Sequence, residues 1–133
     1  MKLTLSSLCM LFSIWLWSRM TGVLGDVGTA ALYRPPYLPT RCSGYSEEQL
    51  PENGYFASVS EGLWNNGAAC GRQYQVYCIS GPHRSCKNGD IIATVVDLCR
   101  KSPCPATLVL NDRAFSELSK SPRATINIEY AQI

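Results

Sequence analysis

Ile91-Ile92-Ala93-Thr94-Val95-Val96-Asp97-Leu98 is a nearly continuous β-branched stretch, entered from the turn signal Asn88-Gly89. A strand with one wet face alternates apolar and polar residues. This one does not, so the run predicts a strand buried on both faces. Such a strand belongs inside a closed sheet. The rest of the chain after residue 25 supplies partners for it. Val27 to Tyr33 reads as a small-residue strand that stops at Arg34-Pro35-Pro36, where prolines prevent ladder pairing. Tyr55 to Ser60 alternates weakly, and Tyr74 to Ile79 puts Tyr74, Val76 and Cys78 on one face. Thr107 to Leu110 is a short strand, and Thr125 to Tyr130 alternates strictly, with Ile126, Ile128 and Tyr130 inward.

Helical signals are few. Glu61 to Trp64 allows one turn before Asn65-Asn66-Gly67 reverses the chain. Asn111 is placed to cap a helix from Asp112 to Leu118, with Phe115 and Leu118 as its buried stripe. About six short strands with one or two helical turns predict an all-β fold, a closed barrel rather than a sandwich.

The ends and the cysteines set the compartment. Lys2 precedes an apolar stretch, Leu8 to Trp17, that is closed by Arg19 and followed by Val23-Leu24-Gly25. Residues 1–25 therefore read as a cleaved secretory leader, too short in its apolar part for the roughly 20 residues of a membrane span. Cleavage there removes Cys9 and leaves an even six, Cys42, Cys70, Cys78, Cys86, Cys99 and Cys104, which in an oxidising space form a disulfide framework. The mature domain, residues 26–133, then has 108 of the 133 residues. Without Lys2 and Arg19, ten of the twelve basic residues remain against ten acidic ones. A near-neutral domain gives no electrostatic case for nucleic acid or for an anionic membrane.

Most catalytic devices lack their parts. The shortest cysteine gap is Cys99-x4-Cys104, not the Cys-x2-Cys of a zinc site, so no metal and no cofactor are expected. His83, the only histidine, lies between Pro82 and Arg84 in a loop and reads as solvated. Asp97 stands out: an unpaired charge near the end of a buried strand is costly. It either accepts bonds from backbone amides and a hydroxyl or lines a groove. Tyr33, Tyr37, Tyr45, Tyr55, Trp64 and Tyr74 cluster in the first half of the mature chain. Each ring either fills core or helps build a shallow carbohydrate or partner groove.

Several blocks together resemble one family. They are Gly28-Thr29-Ala30 followed by Tyr33, Pro35-Pro36-Tyr37 leading to Cys42, Trp64-Asn65-Asn66-Gly67-Ala68-Ala69-Cys70-Gly71, Val95-Val96-Asp97-Leu98-Cys99, and Ile126-x-Ile128-Glu129-Tyr130. In this order they resemble the plant endoglucanase-45-like domain proteins. That group includes the plant natriuretic peptides and blight-associated proteins and is related to the first domain of expansins and to barwin.

The resemblance implies a six-stranded double-psi β-barrel secreted to the plant apoplast. It also implies the pairing Cys42–Cys70, Cys78–Cys86 and Cys99–Cys104, with Gln73 where expansins carry a further cysteine. Family-45 endoglucanases need an acid and a base. The acid's place falls on Val109, which cannot donate a proton, a role worth about 10²–10⁴ in rate. Asp97 matches the other groove aspartate, and Ala31 stands near where expansins place a groove threonine. The chain ends soon after Tyr130, so the second, cellulose-binding domain of expansins is not expected.

The resemblance therefore points away from an enzyme. The first expectation is a monomeric, secreted, natriuretic-peptide-like protein acting on water and ion balance through a plant cell-surface receptor. Its signalling segment is Pro36 to Cys70, with Tyr37, Arg41, Tyr45 and Trp64 as contacts. The alternative is a module that binds or loosens cell-wall polysaccharide, with Tyr33, Asp97 and Trp64 along the groove. Barwin-like defence against microbes is a third reading.

Overall fold

The computed structural model describes residues 25–133; the leader expected over residues 1–25 lies outside the described residues except for Gly25. Six strands are present: β1 (Asp26–Tyr33), β2 (Phe56–Val59), β3 (Gln73–Ser80), β4 (Asp90–Leu98), β5 (Leu108–Asn111) and β6 (Ile126–Gln132). They close in the order β1-β5-β2-β4-β3-β6. Two pairs are parallel, β1 with β5 and β2 with β4; the others are antiparallel. This mixed, crossed-over closure is the double-psi arrangement. The barrel interior takes Val59, Val76, Leu108, Leu110, Ile126 and Ile128, none with any exposed surface.

Two short helices accompany the barrel, α1 (Glu61–Trp64) and α2 (Asp112–Leu118). α1 ends because Asn65, Asn66 and Gly67 are all left-handed, at φ of 50°, 53° and 92°. Asparagine tolerates that region and glycine has no Cβ to clash there. α2 begins at Asn111, whose Oδ1 accepts from Ala114 N at 3.3 Å. Phe115 and Leu118, both fully buried, seal one side of the barrel with it.

Gly28 allows the close approach of β1 to the start of β5. A Cβ there would lie 2.6 Å from Thr107 Oγ1, the atom that accepts from Thr29 N at 3.0 Å.

β4 departs from the sequence expectation. Ile91, Ala93 and Val95 point inward, but Ile92 is 37% exposed, so the first half of the strand has a wet face. In the second half the register against β2 slips: Ala57 pairs with Val95 and Ser58 with Asp97, leaving Val96 extra. The bulge turns Asp97, which strict alternation would send into the core with Val95, to the outer side beside Ser58. There it is covered by the loop after β1, through Cys42 N to Val96 O at 3.2 Å. Continuous apolarity in this strand thus records a bulge under a loop. β2 departs in the opposite sense: its alternation reads as weak, yet all four residues are buried between β4 and β5.

Disulfides join Cys42 to Cys70, Cys78 to Cys86 and Cys99 to Cys104. The first ties the loop after β1 to the turn after α1. The second closes the connection from β3 to β4, and the third closes the loop from β4 to β5. Each such bridge contributes about 2–4 kcal/mol.

Candidate functional site

Registers place Ala31, Val109, Ser58 and Asp97 side by side across β1, β5, β2 and β4. Residues paired in this way face the same side, and this row floors a groove on the outside of the barrel. Two hollows, of about 370 Å³ and 440 Å³, meet there at Cys99 and Arg100. The first is bounded by Tyr33, Arg34, Ser58, Lys101, Pro105 and Val109. The second is bounded by Pro39, Thr40, Arg41 and Asp97.

Asp97 is 3% exposed and both of its oxygens are engaged. Oδ1 accepts from Arg41 N at 2.9 Å and Leu98 N at 3.0 Å, and Oδ2 lies 3.3 Å from Arg100 Nε. Of the two roles open to it from sequence, it fills the first through backbone amides and an arginine, with no hydroxyl involved, while its edge also reaches the second hollow. Arg100 was not singled out by sequence reasoning. Its guanidinium donates from Nη1 to Pro36 O at 2.7 Å and from Nη2 to Tyr37 O and, at 3.4 Å, Pro39 O. A proline-rich loop cannot satisfy its carbonyls in a ladder, and Arg carries five donors in a fixed fork. The only signal was a basic residue directly after Cys99, beside a loop without regular structure.

Tyr33 lies where β1 meets the groove. Arg100 lies over one face of its ring, 5.8 Å from the centroid, and Tyr37 and Phe56 make T-shaped contacts with it at centroid distances of 4.9 Å and 6.4 Å. Burial, the main cause, pushes its pKa up to about 12; the Ser58 hydroxyl and Arg100 oppose the rise and Asp97 adds to it. Neither the Tyr33 hydroxyl nor Ser58 Oγ completes a well-aligned hydrogen bond. Both line the same hollow as Val109, which is 6% exposed.

The other candidates are dispersed. Tyr37 is held by its hydroxyl, which accepts from Asp112 N at 3.1 Å and lies 2.9 Å from Asp112 Oδ1. Trp64 and Tyr55 pack against the core and Tyr74 is inside it. Trp64 does not line the groove beside Tyr33 and Asp97. Arg41 is exposed, and Tyr45 is the most exposed ring among the described residues, at 79%. The aromatic cluster of the sequence is thus not one platform. His83 is exposed, left-handed at φ 55°, and lines a separate hollow with Lys120 and Arg123. Among the described residues no three His, Cys, Asp or Glu are placed to hold a metal, and no helix is long and apolar enough to cross a membrane.

Chemically, the groove holds one carboxylate, Asp97, already paired, and the aliphatic side chain of Val109. Residues 56–130, more than half of the chain, match the lytic transglycolase family, which places the protein in that class of double-psi barrels. Within it, the chain belongs to the EG45-like domain proteins. It is 36% identical over 109 residues to an EG45-like domain containing protein of Citrus jambhiri, covering 79% of each chain. It is also 39% identical over 75 residues to Expansin-B4 of Arabidopsis thaliana, covering 52% of this chain and 28% of that one.

The fold superposes on a mutant Clavibacter michiganensis expansin in complex with cellohexaose, with a TM-score of 0.63 and 23% identity. That match covers 83% of this chain and 50% of the expansin, so the barrel corresponds to half of that protein. The protein is an expansin-like, EG45-like domain protein with three disulfides, which fit an oxidising compartment.

Proposed function

We propose that this protein is a secreted plant cell-wall module that binds polysaccharide in the groove over Val109 and Ser58 and does not hydrolyse it. The observation that supports this reading is an open groove lined by aliphatic Val109, the residue that the family resemblance puts at the acid's position. Among the residues lining the two hollows, the one carboxylate is Asp97, and it is committed to Arg41, Leu98 and Arg100. Two-carboxylate hydrolysis lacks both a proton donor and a free base. The expansin with the similar fold, in complex with cellohexaose, supports a glycan as the occupant. The test is amide chemical-shift mapping of the mature, oxidised domain with wall oligosaccharides. Shifts confined to Tyr33, Ser58, Lys101 and Val109, with no reducing-sugar release, are expected. Absence of shifts with every glycan, or release of sugar, overturns the reading.

A second reading, extracellular signalling of the natriuretic-peptide type, is favoured by one observation. On the loop after β1, Tyr45 and Arg41 stand free while Tyr37 and Trp64 are used structurally. A receptor would therefore meet Tyr45 and Arg41. Protoplast swelling that is lost in Tyr45→Ala but kept in a groove variant supports it; no response at any dose removes it.

A further inference from the structure

Resting on the reading of the groove as a glycan site, we propose that it selects acidic, uronate-bearing polysaccharides over neutral glucans. The mature domain is near neutral, yet its charge is unevenly placed. Four of its ten basic residues, Arg34, Arg41, Arg100 and Lys101, line the two joined hollows, against one of its ten acidic residues, Asp97. Among the described residues the only ion pair is Arg100 with Asp97. Arg34, Arg41 and Lys101 are exposed and, among the described residues, in no ion pair.

The larger share flanks the floor. Arg34, Arg100 and Lys101 bound the hollow over Val109 and Ser58, where no carboxylate is present. A concave, low-dielectric wall lined by one sign of charge focuses its field and concentrates counter-charged ligands. A neutral glucan gains nothing from that field, whereas a polyuronate carries a carboxylate on each sugar. Arg34 can meet such a carboxylate with two parallel N–H donors, and Lys101 can meet it as a point charge. Arg100 already lies over one face of the Tyr33 ring, so stacking of a bare sugar on that face, the usual device for neutral glucans, is weakened here. Charge is left as the discriminating feature.

The experiment compares binding of the mature oxidised domain to polygalacturonate, to the same polymer fully methyl-esterified, and to a soluble neutral β-glucan. Polygalacturonate is expected to bind best, and added salt is expected to erase the preference, because exposed charges are screened over about 8 Å at physiological ionic strength. Arg34→Gln/Lys101→Gln, two exposed changes, should weaken polygalacturonate binding roughly tenfold. Lys120→Gln/Arg123→Gln, which removes equal charge at a separate hollow, should leave it unchanged.

Equal binding of the acid polymer and its ester, or equal loss in both double variants, overturns the inference and leaves glycan binding standing. Failure to bind any of the three polymers removes the glycan reading and the inference together.

Discussion

Asp97, Arg100 and Tyr33 form the residue-scale core of the groove, and their chemistry is unequal. Asp97 anchors two backbone amides of different segments and one guanidinium. Asp97→Ala leaves all of them without their acceptor. Removing one partner of a buried pair costs about 3–5 kcal/mol. Arg100 is 41% exposed and can rehydrate, which puts the loss at the lower end, about 3 kcal/mol. Thermal unfolding should then come roughly 12–20 °C earlier; an unchanged midpoint would mean that these bonds are not made. The consequence for function is practical: lost glycan retention in this variant reports on folding as much as on the groove.

Tyr33 allows a cleaner change. Its pKa is raised, so the folded state prefers the neutral phenol. That preference is fully present below pH 10 and is lost as pH climbs toward about 12. The loss amounts to at most about 3 kcal/mol. Tyr33→Phe should abolish this share of alkaline destabilisation while altering neutral-pH stability by less than about 0.5 kcal/mol, because the hydroxyl has no well-formed bond to lose. Denaturant melts at neutral and alkaline pH check both halves.

Among the elements, α2 and β4 show what a sequence makes legible. The limits of α2 were readable because they are set locally, by Asn111 as cap and by Phe115 and Leu118 one turn apart. What was hidden is that Asn111 also serves the barrel. Its Oδ1 accepts from Phe56 N at 3.2 Å and its Nδ2 donates to Gly54 O at 2.8 Å. Asn111→Ala should therefore cost more than the usual ~1 kcal/mol of a lost cap. About 2–4 kcal/mol is expected once two further backbone groups are stranded. Asn111→Asp, which keeps the acceptor but not the donor, should fall between. If denaturant midpoints of the two variants coincide, the bond to Gly54 is not contributing.

β4 was legible as a strand but not as a bulged one, since the extra residue at Val96 is defined only by pairing with β2. Without that slip, strand parity puts Asp97 on the wrong face. Asp97 and Tyr33 were legible as groove candidates from residue chemistry, whereas Val109 was marked only by the resemblance. Arg100 escaped because its carbonyl partners lie 61 to 64 residues away, on a proline-rich loop whose path no local pattern encodes.

Across the whole molecule, closure decides what any part can do alone. β6 pairs with both β1 and β3, and β2 sits between β4 and β5, so every strand depends on partners distant in sequence. The segment 36–70 contains β2, α1 and the Cys42–Cys70 bridge but neither neighbour of β2. The four buried residues of that strand would be bare in an isolated fragment, and a single strand has no ladder to satisfy its backbone. An oxidised 36–70 peptide is therefore expected to lack strand circular dichroism and dispersed amide shifts, while the mature chain shows both. Native-like spectra from the peptide would show that the barrel is not the cooperative unit. The same peptide separates the two functional readings. Tyr33, Arg34, Arg100, Lys101 and Val109 all lie outside it, so it should retain no glycan. Tyr45 and Arg41 lie inside it, on the loop that a receptor would meet. A peptide that swells protoplasts yet ignores polyuronate would assign signalling to an unfolded loop and glycan binding to the closed barrel; a peptide that binds polyuronate as tightly as the whole domain would dissolve the link between barrel, groove and ligand.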